Sequence, residues 1–237
     1  MVQKAFHTEA DMGALPMHEV VNLHNRLFIT RNYDWWRTVS EGDVVVDIGA
    51  GVGLFSACAL DVGAKRVYMV EPSESLLKTA IGNVSDYIIG RSDPVVIPIH
   101  AAIGKTDVDL GNVFGIRKRI PGSPEAPLMS LRQLCQTHNI QKIDFLKVAA
   151  EGAEFGILSE DARDFCAQNV RHMAIMVHIN AQYGSELKFT QWRDKFLKPF
   201  HDLGRVKYQD NKIEEKMYAD NFKELLPDKF MIYITNW

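Results

Sequence analysis

The sequence predicts an α/β fold built on a doubly wound, mostly parallel sheet. Apolar runs of strand length alternate with segments of helical periodicity from residue 43 onward, and this alternation is typical of a parallel sheet. A glycine-rich turn follows the first apolar run, and an acid, Glu71, ends the second. With 237 residues, of which 46% are hydrophobic, the chain is of a size that forms one compact domain.

Residues 1–40 are predicted to form a helical or irregular extension that packs on the core or caps the site. Val20, Leu23 and Leu27 share one helical face there. Residues 41–237 are predicted to form the main domain, because no repeat, low-complexity tract or linker divides them.

Seven strands are predicted, with helices between them. In the first half we expect a strand at 43–48, a helix at 53–62, a strand at 66–70, a helix from Ser73, a strand at 95–99 and a polar hairpin-like region at 108–120. In the second half we expect a helix capped by Ser130 and strands at 143–148, 172–179, 205–208 and 230–235. The stripe of Phe189, Trp192, Phe196 and Phe200 is interpreted as core packing.

Composition argues against several classes of function. A net charge of −3 and a pI near 6.2 give no electrostatic footprint for nucleic acid, and the one dense basic run is Arg117 to Arg119. Three cysteines without a Cys-x-x-Cys pair favour a reducing compartment. The sequence shows neither a signal peptide nor a run of the roughly 20 apolar residues that a membrane span needs, so we expect a cytoplasmic protein.

The glycine-rich turn is the first candidate cofactor site. Gly49, Gly51 and Gly53 are spaced as Gly-x-Gly-x-Gly and follow Asp47 at the end of the first strand. Such a turn brings bare backbone N–H groups and a helix N-terminus to a ligand. The dinucleotide fingerprint places its third glycine one residue later, and the tighter spacing resembles the S-adenosylmethionine (SAM) loop of class I methyltransferases. The cofactor-binding candidates here are Asp47, Gly49, Ala50, Gly51 and Gly53.

Two further strand ends extend this candidate site. Glu71, followed by Pro72, lies 22 residues after Gly49, which is the spacing at which an acid on the second strand accepts hydrogen bonds from ribose hydroxyls. After the third strand, His100 and Ala101 begin a run of small residues on which an adenine ring would lie flat. We therefore add Glu71, Pro72, His100 and Ala101 to the cofactor-binding candidates.

The segment from Ile143 to Glu154, Ile-Asp-Phe-Leu-Lys-Val-Ala-Ala-Glu-Gly-Ala-Glu, resembles the FkbM-like family of class I SAM-dependent methyltransferases. The resemblance covers about residues 43–180. It implies a Rossmann-like, seven-stranded sheet with an antiparallel last strand and helices on both faces. It also implies SAM as cofactor and O-methylation of a hydroxyl on a sugar or another small-molecule or glycoconjugate acceptor.

Two positions depart from the family pattern. Ala149 stands where the family usually has an acid after the Lys-Ile pair, and Met176 stands where an acid commonly precedes Ile-His. Both departures remove carboxylates from the expected reaction centre. Because a divalent metal needs several hard oxygen ligands, we expect no required metal.

The candidate catalytic residues lie on the fourth and fifth strands. His178 is the first candidate base, with Glu151 second, because a positioned base activates a poorly nucleophilic hydroxyl. Lys147 either pairs with an acid, neutralises the substrate or is a structural lysine. Substrate contacts are predicted from the N-terminal segment and from loops at the same edge. These candidates are Trp35, Trp36, Asn180 and Tyr183.

Three alternative functions remain open on the sequence alone. Ala149 and Met176 favour a catalytically impaired SAM-binding module. A nicotinamide-dependent oxidoreductase shares the glycine turn and the ribose acid, although the glycine spacing speaks against it. A nucleic-acid methyltransferase conflicts with the acidic charge.

Overall fold

The computed structural model describes residues 33, 36–90, 95–104, 126–179 and 186–237. The strands in these ranges are β1 (Val44–Ile48), β2 (Arg66–Val70), β3 (Val96–Ile99), β4 (Ala102–Ile103), β5 (Leu128–Met129), β6 (Ile143–Val148), β7 (Val170–His178), β8 (Val206–Tyr208) and β9 (Lys229–Thr235).

The helices surround this set of strands. They are α1 (Leu54–Asp61), α2 (Glu74–Ile88), α3 (Leu131–Thr137), α4 (Glu154–Ile157), α5 (Glu160–Asn169), α6 (Glu186–Trp192, continuing through a π-helical turn at Arg193–Leu197 into Lys198–Asp202), α7 (Asn211–Met217) and α8 (Phe222–Leu225). None of the helices in the described ranges combines the length and the apolarity that crossing a bilayer requires.

Seven strands form one sheet in the order β3, β2, β1, β6, β7, β9, β8. The pairs from β3 through β7 are parallel, whereas β9 runs antiparallel to both β7 and β8. The fold predicted from the sequence, including the antiparallel last strand, is therefore confirmed. A separate parallel pair of β4 and β5 was not predicted.

Each face of the sheet carries its own apolar core. One face packs with α1 and α2 through residues such as Phe55 and Leu60. The other packs with α3, α5 and α6 through residues such as Leu134 and Phe196. The helices consequently cover both faces, as predicted, and the aromatic stripe of α6 is buried core.

The strand register places one set of loops along a single edge. Asp47 on β1 is level with Met69 on β2 and with Lys147 on β6, and Val148 on β6 is level with Ile175 on β7. Because parallel strands end at the same edge, the segments that follow β1, β2, β3 and β6 meet there. The end of β7, at His178, extends beyond the same edge.

Most predicted elements agree with the structure to within two residues. Ser130 caps α3 through a capping box with Gln133, and Ser73 accepts the N–H of Leu76 at the start of α2. Helices α4, α5, α7 and α8 were not predicted. Most of the N-terminal extension and the predicted hairpin at 108–120 lie outside the described residues.

Candidate functional site

The glycine turn after β1 is anchored to the end of β2. The N–H groups of Gly49 and Ala50 both donate to the carbonyl oxygen of Val70, at 2.9 and 3.1 Å. All three glycines have positive φ values of 73°, 56° and 78°, a region that L side chains disfavour. The turn therefore has one fixed shape before α1 begins.

The three glycines are needed for different reasons. A Cβ atom on Gly49 would lie 2.0 Å from the carbonyl oxygen of Ala149, and one on Gly53 would lie 2.9 Å from the Cβ of Ala80. A Cβ on Gly51 would meet no heavy atom within 4 Å. Gly49 and Gly53 thus allow close packing inside the protein, whereas Gly51 borders open space.

Glu71 joins the tip of β2 to this turn. Its Oε2 accepts the N–H of Gly51 at 2.9 Å, and its Oε1 accepts the N–H of Ser73 at 3.0 Å. The side chain is buried, and burial raises the pKa of the Glu71 carboxyl despite the opposing effect of the two backbone hydrogen bonds. Each carboxylate oxygen has a second lone pair, so the group can still accept hydrogen bonds from a ligand.

A neighbouring contact links the ends of β2 and β3. The Nε2 of His100 lies 3.0 Å from the carbonyl oxygen of Pro72, so this ring nitrogen carries the donated proton. Ala101 is fully buried directly after it. The segments after β1, β2 and β3 are thus connected by direct hydrogen bonds.

A buried ion pair lies under the glycine turn. The Nζ of Lys147 is 2.8 Å from Oδ1 of Asp47 and donates to the carbonyl oxygen of Gly49 at 2.6 Å. The second oxygen of Asp47 accepts the hydroxyl of Ser56 at 2.7 Å. The ring of Tyr33 lies 5.3 Å from the ammonium, so the cation is surrounded by groups that stabilise it.

A histidine and two glutamates lie at the ends of β6 and β7. The Nδ1 of His178 is 2.8 Å from Oε1 of Glu154, and its Nε2 is 3.8 Å from Oε1 of Glu151. Glu154 is fully buried, and 51% of the Glu151 side chain is exposed. The Nε2 atom is buried and has no hydrogen-bond partner among the described residues.

A family model described as the methyltransferase FkbM domain matches residues 47–206 of the 237-residue chain. This range begins at Asp47, at the end of β1, and extends to the start of β8. The chain belongs to the FkbM methyltransferase family. The resemblance inferred from the sequence is therefore confirmed.

A solved FkbM methyltransferase structure shares the fold of this FkbM chain. The FkbM methyltransferase of Methylobacillus flagellatus KT is 16% identical, has a TM-score of 0.56, and is matched over 89% of this chain and 47% of its own. Aeropyrum pernix fibrillarin with natively bound S-adenosyl-L-methionine is 18% identical, with a TM-score of 0.47, over 90% of this chain and 74% of its own.

A curated relative matches a shorter stretch. The probable protein arginine N-methyltransferase 6 of Arabidopsis thaliana is 33% identical over 73 residues, which are 31% of this FkbM chain and 16% of that protein. This chain thus spans about half of the Methylobacillus structure and a small part of the Arabidopsis protein.

The predicted cofactor-binding residues of the FkbM chain lie together at one edge of the sheet. Asp47 differs from the other candidates because its carboxylate is fully buried and bound to Lys147 and Ser56. These contacts stabilise the conformation of the glycine turn. The roles of these residues toward a ligand stay predictions.

The predicted catalytic residues occupy two separate positions at this edge. His178 and Glu151 adjoin one another at the ends of β7 and β6, whereas Lys147 lies under the glycine turn and is paired with Asp47. Pairing with an acid is one of the roles expected for Lys147 from the sequence. A catalytic role for any of the three stays a prediction.

Of the four predicted substrate-binding residues, the structure describes Trp36. Trp35, Asn180 and Tyr183 lie outside the described residues. Trp36 is 38% exposed, and the centre of its ring lies 5.2 Å from the Nζ of Lys207 on β8. Trp36 therefore adjoins the edge strand β8, and its substrate role stays a prediction.

Two site residues were missed from the sequence. They are Glu154, which lies in the family-like segment without an assigned role, and Tyr33. Tyr33 is buried, and its hydroxyl lies 3.8 Å from Sδ of Met176. The sequence signal for Glu154 is its position three residues after the candidate base Glu151.

The residues present at this edge fit SAM, the cofactor that the family implies. The open space at Gly51 adjoins a carboxylate with acceptor capacity left, which suits a ribose. No group of three or more His, Cys, Asp or Glu side chains suited to a metal ion occurs in the part of the chain that the structure describes.

Proposed function

We propose that this FkbM protein is a SAM-dependent methyltransferase that methylates a hydroxyl group of a sugar or of another small-molecule or glycoconjugate acceptor. The single observation that carries the proposal is the open space at Gly51 beside the carboxylate of Glu71. Family membership supports the same activity.

The residues that would hold SAM lie on three consecutive loops. Glu71 would accept the ribose hydroxyls, the backbone around Gly51 would border the amino-acid end, and His100 with Ala101 would border the adenine. Asp47 and Lys147 would act indirectly, by keeping the glycine turn in its shape. When bound, SAM supplies an electrophilic methyl group.

His178 is the residue best placed to take a proton from an acceptor hydroxyl. The carboxylate of Glu154 can only accept hydrogen bonds, so the proton between them resides on Nδ1 of His178. The Nε2 lone pair is then free to receive a proton. A base positioned in this way typically contributes about 10²- to 10⁴-fold to the rate. The protein must also orient the acceptor hydroxyl toward the methyl group of SAM.

A neutral hydroxyl acceptor is favoured because the site places an imidazole beside an exposed carboxylate. Glu151 has half of its side chain exposed near Nε2 of His178. Its negative charge would repel an anionic acceptor and tolerate a neutral polyol. The cation Lys147 on β6 is paired with the carboxylate of Asp47.

The proposal is tested by measuring methyl transfer from labelled SAM to a panel of acceptors: free sugars, nucleotide sugars, small alcohols, amines and an arginine-rich peptide. We expect transfer to at least one hydroxyl compound and a large loss of rate in His178→Ala. Transfer only to the amines or the peptide would contradict O-methylation. Tight binding of SAM without transfer to any acceptor would favour the impaired binding module, for which Ala149 and Met176 are the motivating residues.

A further inference from the structure

Glu154 is the most heavily bonded carboxylate of the candidate site. It is the first residue of α4 and is fully buried. Its Oε1 accepts the N–H of Ala150 and lies 2.8 Å from Nδ1 of His178, and its Oε2 accepts the N–H of Gly152 at 2.8 Å. Three donors hold this buried carboxylate in one orientation.

The first consequence concerns the ring of His178. A neutral imidazole carries its proton on one of its two nitrogens. The hydrogen-bond partners of the ring determine which nitrogen that is. Glu154 fixes the proton on Nδ1 and so leaves Nε2 as an acceptor. That Nε2 atom is buried without a partner among the described residues, which is costly unless a ligand group uses it.

The second consequence concerns the backbone at Glu151. This residue has a φ of +51°, one of two positive values among the non-glycine residues of the described ranges, and such a conformation persists only where its surroundings impose it. The two N–H groups that Glu154 binds flank this residue on either side, at Ala150 and Gly152. Glu154 thereby holds the backbone from which the Glu151 carboxylate comes within 3.8 Å of Nε2 of His178.

We infer that Glu154 is the positioning residue of this site, because one carboxylate fixes both the proton position on His178 and the left-handed backbone at Glu151. The inference rests on the proposed function for its catalytic meaning. Its structural content, the proton on Nδ1, is independent of any activity.

The test compares Glu154→Gln with the wild-type protein and with Glu151→Gln, which changes the exposed acid and leaves Glu154 in place. A glutamine has a single oxygen, so its NH₂ group must face either the Gly152 N–H or the imidazole. The first readout is ¹⁵N NMR of histidine side chains, with the His178 signal assigned by its loss in His178→Gln. The other two readouts are kcat, measured with the best acceptor, and the Kd for SAM.

We expect the wild-type protein and Glu151→Gln to carry the proton on Nδ1. In Glu154→Gln we expect a shift of this proton toward Nε2 where the NH₂ group faces the imidazole, or loss of the Gly152 hydrogen bond where it faces the Gly152 N–H. We expect kcat of Glu154→Gln to fall at least tenfold while the Kd for SAM stays within about twofold. A wild-type proton on Nε2, or a Glu154→Gln protein with unchanged spectrum and kcat, would overturn the inference. Because the wild-type spectrum can be recorded without any activity, failure of the proposed function cannot be mistaken for failure of this inference.

Discussion

The backbone N–H of Gly51 donates to the carboxylate of Glu71 over 2.9 Å, which joins the glycine turn after β1 directly to the tip of β2. The acid expected to bind a ribose therefore also sets the position of the turn that borders the same ligand. A change at Glu71 should therefore affect both ribose binding and the position of the glycine turn.

Glu71→Gln is expected to weaken SAM binding by about 1.5–3 kcal/mol, the range for hydrogen bonds to a charged group. The neutral amide has one acceptor oxygen, so it cannot serve both Gly51 and Ser73 and a ribose as well. Isothermal titration calorimetry measures the change. Glu224→Gln, at an exposed position on α8, serves as the control. An affinity equal to that of the wild-type protein would remove the assigned role of Glu71.

Gly51→Ala is expected to lower SAM affinity at least tenfold because its methyl group enters the open space beside Glu71. The matched control is Gly204→Ala, which also has a positive φ and no atom within 4 Å of an added Cβ, but lies between α6 and β8. Both variants should lose about 1–2 kcal/mol of stability from the left-handed backbone. Equal SAM affinity in the two would contradict the placement of the cofactor at Gly51.

The local elements could be predicted because short-range signals determine them. The apolar run of β1, the serine before α2 and the capping box at Ser130 each act within a few residues. The glycine spacing and Glu71 were recognisable because both sit at fixed distances from predicted strand ends.

The contacts that shape the site could not be predicted in the same way, because they depend on register between distant segments. Lys147 meets Asp47 only because β6 pairs with β1 at that level. The bond between Glu154 and His178 likewise depends on where β7 ends relative to α4. Tyr33 contacts Met176 across a separation of 143 residues.

Lys147→Met is expected to destabilise the protein by about 3–5 kcal/mol, because it leaves the carboxylate of Asp47 buried without its partner. Adding Asp47→Asn removes that charge, so the double variant should recover part of the loss. Urea denaturation gives the free energies of unfolding. Losses in the two single variants that simply add in the double variant would show that the ion pair does not couple the two residues.

His172 predicts a pH dependence of stability. Burial, together with the nearby Arg171 and Arg37, lowers its pKa to about 4 from an ordinary 6.5. Between these values the unfolded chain binds a proton that the folded protein does not, so the free energy of unfolding should fall as the pH drops through this window. His172→Gln should make that fall shallower in urea denaturation at several pH values. Parallel pH profiles for the two proteins would argue against a lowered pKa of the partly buried His172.

Calorimetric titration of the purified, folded protein with SAM tests the central claim most directly. The account predicts saturable binding of one SAM per chain, competition by the demethylated product, and no comparable binding of NAD. A folded protein that gives no binding signal with SAM, or that binds NAD instead, would contradict it.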